Sequence, residues 1–147
     1  MTTVKLPIAL IVSFVWIGFV CAISFMEAWL KFRAPGVTLP IGLGIGRLMF
    51  NALNKVEWVF AVTILANIFL TKSPVLTTAN LVYYIPLSLL IIQTFWTLPA
   101  LDTRAALYIQ GQTAPPSNLH FYFIGMEIVK VVSLGVFGVS LLKSTVP

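Results

Sequence analysis

From Leu6 to Met26 the chain runs 21 residues without a charged side chain. An α-helix rises 1.5 Å per residue, so such a run spans roughly the 30 Å of a bilayer's hydrocarbon core. It is too long for the 7–15-residue apolar core of a signal peptide. No small-x-small cleavage site follows it, and Phe19 and Val20 before Cys21 do not suit a lipoprotein site. The run is therefore expected to be a retained transmembrane helix. The rest of the chain agrees: 59% of its 147 residues are hydrophobic, 9% are charged, and the mean hydropathy is +1.01. Soluble domains carry about 25% charged residues.

Four spans are expected, at about residues 7–30, 43–70, 78–98 and 119–142, forming a single transmembrane domain over 1–147. The third may be extended past Pro99 to about Ile109. In lipid every backbone polar group needs a partner within its own segment, so helices are the default. The expected fold class is all-α, an integral membrane four-helix bundle with up-down topology. "RAPGVTLPIG", "TKSP" and "GQTAPPSN" supply breakers between the spans, with Thr77 or Thr78 and Ser117 or Asn118 as helix caps.

The charges cannot all be kept out of these spans. Only 14 uncharged residues separate Glu57 from Lys72, so the second span must recruit part of "GRLMFNALNKVEW", Gly46 to Trp58. Only 12 residues separate Lys130 from Lys143, so Glu127 and Lys130 are expected at membrane depth as well. Ionisable residues inside a membrane are costly, face the bundle interior and mark function by default.

Helical geometry groups the polar residues. Arg47, Asn51, Asn54, Lys55 and Glu57 share one face roughly 160° wide, with Leu48, Ala52, Leu53 and Val56 on the other side. Ser13, Ser24, Glu27 and Lys31 share a face of the first helix. His120 and Glu127 nearly align on the fourth, with Lys130 one turn on, and the third ends in Asp102 and Arg104. In an up-down bundle all four acids, Glu27, Glu57, Asp102 and Glu127, belong to one half. These residues are expected to line a polar crevice open towards the first and third loops, as binding candidates for a ligand or ion. The competing reading is a purely structural network, pairing Glu57 with Lys55 or Arg47, Glu127 with Lys130, and Asp102 with Arg104 or an arginine of the first loop.

Several chemistries fall away. One cysteine, Cys21, excludes an internal disulfide and a Cys-x-x-Cys site; a buried, inert thiol is expected. Di-iron bundles need two Glu-x-x-His motifs, and the chain has one histidine, so no metal is expected. "GLGIGR" lacks the strand context of a nucleotide loop, so Gly42, Gly44 and Gly46 read as close helix packing. Trp16, Trp29, Trp58 and Trp96 read as core or interfacial aromatics. No nucleophile stands out, and catalytic residues are not assigned. The net charge of +5 is spread along the chain and suits cytoplasmic loops better than nucleic acid.

Two resemblances bear on this. "FMEAWLKFRAPGV", "GRLMFNALNKVEWVF", "TFWTLPALDTR" and "SNLHFYFIGMEIVKV" together resemble small bacterial four-helix membrane proteins of the DUF4149 type. That resemblance implies fold and membrane residence rather than chemistry. Arg47 followed by Asn54-x-x-Glu57 resembles the second helix of the membrane-associated eicosanoid and glutathione metabolism (MAPEG) family. That resemblance implies a trimeric glutathione transferase in which these residues hold glutathione's charged ends. The third helix departs from it, since "LDTRAALY" lacks the family's arginine-and-tyrosine pattern.

The expected function is membrane-embedded binding or transport of a small molecule, ion or proton, without a cofactor. The alternatives are a glutathione-dependent or lipid-modifying enzyme, with glutathione as cofactor, and an accessory subunit of a membrane complex. The lipid bilayer is the expected partner, and Gly135, Gly138 and Ser140 suit packing in a homo-oligomer or within the monomer. The expected location is a bacterial inner membrane. The lysine and arginine distribution places loops 1 and 3 in the cytoplasm and both termini outside.

Overall fold

The computed structural model describes residues 3–146. Four helices are each long and apolar enough to cross a membrane: α1 (Pro7–Arg33), α2 (Leu39–Leu70), α3 (Thr78–Ile109) and α4 (Leu119–Lys143). Two short strands, β1 (Thr3–Val4) and β2 (Thr145–Val146), pair antiparallel and bring the two ends of the chain together. α1 packs against α2 and α4. The first half of α3 packs against α4, and its second half against α2.

The helix starts follow local chemistry. Proline occupies the first turn of α1 and of α2, where a missing N–H costs nothing. At α3 the Thr77 hydroxyl accepts a hydrogen bond from the Asn80 N–H at 3.2 Å. At α4 the Ser117 hydroxyl accepts from the Leu119 N–H at 3.1 Å. Leu6, before α1, has no capping side chain. Its role is taken from across the bundle: the buried Asn67 of α2 accepts the Ala9 N–H at 2.9 Å through its side-chain oxygen. The first turn of α1 is thereby tied to the last turn of α2.

Two boundaries differ from expectation. α2 begins at Leu39 rather than near Leu43, because Pro40 fits its first turn. α3 continues through Pro99 to Ile109. Just before that proline, Gln93–Thr97 is wound as a π-helix, and the Leu98 N–H bonds to the carbonyl of Gln93, five residues back. The wider turn carries the chain past a residue that would otherwise interrupt the α ladder. α1 contains a second π segment, Cys21–Glu27. The Gly111 N–H bonds to Tyr108 O as α3 ends, with φ at +77°, a left-handed conformation that favours glycine.

The core gathers Leu6, Ala9, Trp16 and Val20 of the N-terminal region with Ala61, Ile64 and Ile68 of α2, Tyr83 and Leu90 of α3, and Leu134, Phe137 and Leu141 of α4. Within it the Tyr83 hydroxyl donates to Ala61 O at 2.7 Å, which satisfies a polar group among apolar walls. Gly42, Gly46 and Gly138 sit at close approaches: a Cβ on each would meet Phe32, Lys31 and Phe14 respectively. Gly44 and Gly135, expected to act similarly, have open space around them. Cys21, expected to be buried, is exposed, because its position faces away from the other three helices.

Candidate functional site

The most deeply buried polar groups form one cluster to which every helix contributes. Lys130 of α4 has 0% exposure, Glu127 and Gln93 have 1%, and Glu57 has 3%. The Lys130 ammonium lies 2.6 Å from Glu57 Oε1 and 2.7 Å from Glu127 Oε1. It also donates to the Gln93 side-chain carbonyl. The Gln93 amide turns its nitrogen to Glu127 Oε1 at 2.6 Å. α1 completes the ring: Trp16 Nε1 donates to Glu57 Oε1 at 2.8 Å, and the Ser24 hydroxyl donates to Glu127 Oε2 at 2.5 Å. All three donor positions of the ammonium are thus engaged. Two carboxylates face one ammonium in a water-poor interior.

A second set of charges lies nearer the surface. The Arg47 guanidinium holds Asp102 through two hydrogen bonds, Nε to Oδ1 at 2.6 Å and a terminal nitrogen to Oδ2 at 2.8 Å. Both side chains are 36% exposed. Lys31 pairs with Glu27 at 3.3 Å, one turn back on α1. Its ammonium also sits 5.5 Å from the Phe32 ring centre and 5.7 Å from that of Phe50.

Two adjoining cavities open beside these pairs. The smaller, about 140 Å³, is lined by Lys31, Arg47, Asn51, Asp102 and His120 among apolar residues. The larger, about 610 Å³, is walled by Phe25, Trp29, Phe32, Phe50 and Ile124, with Arg104, Tyr108 and His120 as polar members. The two share Ala28, Phe32, Leu43, Phe50, Leu101, Ala105 and His120. Ser24 also lines the larger one, so the group that hydrogen-bonds Glu127 belongs to the cavity wall too.

The single polar face expected on the second helix is divided. The side of α2 that packs inward carries Gly46, Leu53, Glu57, Ala61 and Ile64. Leu53 is therefore inside, and Asn51 and Lys55 are exposed. Asn51 donates to the Arg47 carbonyl within its own helix at 2.8 Å. Asn54 donates to the Thr94 hydroxyl at 2.9 Å, an oxygen that Trp58 Nε1 also reaches at 2.9 Å. Polarity misplaces the inward face because, on a helix with apolar residues all round, the packing side is set by steric fit as much as by polarity. Glu57 pairs with Lys130, not with Lys55 or Arg47. Arg47, Asn54 and Glu57, which the glutathione reading needs together, each engage a different partner. His120 is exposed at the cavities, away from the Glu127 cluster. Arg104 lines the larger cavity and has no ion-pair partner among the described residues. Asp102 pairs with Arg47 rather than Arg104.

Gln93 and Trp16 were not foreseen as cluster members. The signal for Gln93 was present: a lone amide in the apolar stretch "SLLIIQTFW". The indole of Trp16 carries no comparable mark. Thr97 is also fully buried, and its hydroxyl has no hydrogen-bond partner among the described residues. Among the described residues no three His, Cys, Asp or Glu side chains gather as a metal-binding group.

No family model, no curated protein and no solved structure matches this chain. The two family resemblances accordingly bear on function only as proposals.

Proposed function

We propose that the chain is an integral membrane protein, an up-down bundle crossing the bilayer four times, that binds or carries a small molecule, ion or proton. The buried Glu57–Lys130–Glu127 cluster is its protonatable centre. The exposed apolar side chains support membrane residence: Leu48, Val59, Val62, Phe95, Phe121 and Val132 all point away from the core. The pairing of the two chain ends supports an even number of crossings.

The observation that carries the functional reading is the charge count of the cluster. Two carboxylates against one ammonium leave one negative charge in excess if all three are ionised. An uncompensated charge in a low-dielectric interior is costly, and one added proton removes it. A centre of this kind holds a single exchangeable proton between two carboxylates that share a lysine. Ser24 links it to the larger cavity, through which a proton or a coupled ligand would reach it.

The test is reconstitution into liposomes carrying a pH-sensitive dye, together with an infrared titration of protonated carboxyl groups. The reading expects one titrating carboxyl signal that disappears in Glu57→Gln or Glu127→Gln, with both variants folded. It also expects proton movement above that of empty liposomes, lost in the same variants. If no carboxyl titrates and charge-swapped pairs restore variants that had collapsed, the network is structural only.

A further inference from the structure

We propose that the larger cavity binds an amphiphile with one anionic head and a single apolar chain, the head seated on Arg104 and His120. This rests on the reading of the bundle as a membrane-resident binding protein and names the class of molecule bound.

The volume, about 610 Å³, lies within the range of small-molecule sites. Its walls are aromatic and aliphatic: Phe25, Trp29, Phe32, Phe50 and Ile124 offer no hydrogen bonds except the indole N–H, and Trp29 Nε1 is already spent on the Phe25 carbonyl at 2.8 Å. Such walls suit a hydrocarbon chain. The charged group in the lining is positive. Arg104 has no ion-pair partner among the described residues, and no acid lines this cavity. In the adjoining smaller cavity the one acid, Asp102, is already held twice by Arg47. A guanidinium with free donors recognises a carboxylate or phosphate through paired N–H groups. His120 stands in the first turn of α4, where the helix dipole adds positive potential. A cationic head would meet Arg104 unshielded, and a neutral one would leave its donors unpaired. Carboxylate and phosphate heads share the required chemistry.

The experiment uses the full chain in lipid nanodiscs and reads quenching of tryptophan fluorescence by amphiphiles brominated along the chain. Brominated dodecanoate and brominated dodecyl phosphate are compared with a brominated dodecyltrimethylammonium salt and a brominated dodecanol. The Trp29→Phe protein supplies the background from the other three tryptophans. The expected result is saturable, Trp29-dependent quenching by one or both anionic probes. Affinity falls at least tenfold in the Arg104→Ala/His120→Ala protein, and quenching is abolished in Ala28→Phe, which fills the cavity. The preferred anion then identifies the head as carboxylate or phosphate. Equal quenching by cationic and anionic probes, or an affinity untouched in the double variant, overturns the proposal. Circular dichroism and thermal unfolding of each variant exclude misfolding as the cause, and Arg104→Lys, which keeps the charge, should retain part of the affinity. Failure here with a titrating Glu57–Glu127 centre removes only the amphiphile. Failure of both removes the binding reading as well.

Discussion

Lys130 and Glu57, 73 positions apart in sequence, close a 2.6 Å ion pair within which neither side chain is more than 4% exposed. Losing the two members has unequal consequences. Lys130→Met leaves Glu57 and Glu127 facing each other without a cation, and breaking a buried pair in this way costs about 3–5 kcal/mol. Glu57→Gln leaves one carboxylate against one ammonium and keeps an oxygen for Trp16 and Lys130. Its cost should be at least about 2 kcal/mol smaller. Thermal or denaturant unfolding in a mild detergent compares the two. Equal losses would mean that charge balance is not what the cluster supplies.

Asn67 tests the cross-bundle cap. Asn67→Leu removes the acceptor of the Ala9 N–H and leaves that donor buried, at a cost of about 1–2 kcal/mol. Hydrogen exchange should locate the effect in the first turn of α1, with α3 unaffected. Protection unchanged at Ala9 would show that the bond contributes nothing.

The Arg47–Asp102 pair is geometrically good but one-third exposed, so its coupling should be small. A double-mutant cycle with Arg47→Ala and Asp102→Ala is expected to give less than about 1 kcal/mol, falling as salt is added. A coupling of several kcal/mol, insensitive to salt, would place the pair in a far drier setting than its exposure indicates.

Gly42 and Gly44 should respond in opposite directions to alanine. A Cβ at Gly42 would lie 2.1 Å from a Phe32 ring carbon, whereas one at Gly44 meets nothing within 4 Å. Gly44→Ala should stabilise by up to about 1 kcal/mol through helix propensity. Gly42→Ala should destabilise by about 1–2 kcal/mol, since forcing extra volume into a filled contact outweighs that gain. Combined with Phe32→Ala, the Gly42 substitution should become stabilising, and unfolding of the four proteins settles it.

How legible this molecule was in its sequence depends on the kind of signal. The four helices were readable from apolar run length alone, because spanning length is set by a simple rise per residue. Counting residues between Lys130 and Lys143 placed Glu127 and Lys130 inside the helix region, and both are buried. The partners were harder. In a bundle whose helices are apolar on all sides, periodicity does not mark the inward face, so Asn51 and Lys55 were grouped with Glu57 although they point outward. The continuation of α3 past Pro99 and the role of Gln93 share a cause: a π turn shifts the phase of everything after it, and no pattern based on 100° per residue contains that shift.

Ser24 and Gln93, the hydroxyl and amide bonded to Glu127, lie one in each of the two π segments. A π turn holds more residues per turn than an α turn. Deleting a single residue from Cys21–Glu27 or Gln93–Thr97 would let the helix relax to its α form while turning all that follows by about 100°. Tolerance to length change is therefore uneven along this chain. The loops accept insertions and deletions, but these two segments behave as fixed-length spacers, in which one missing residue does what no single substitution there would: it rotates an entire half-helix away from its partners.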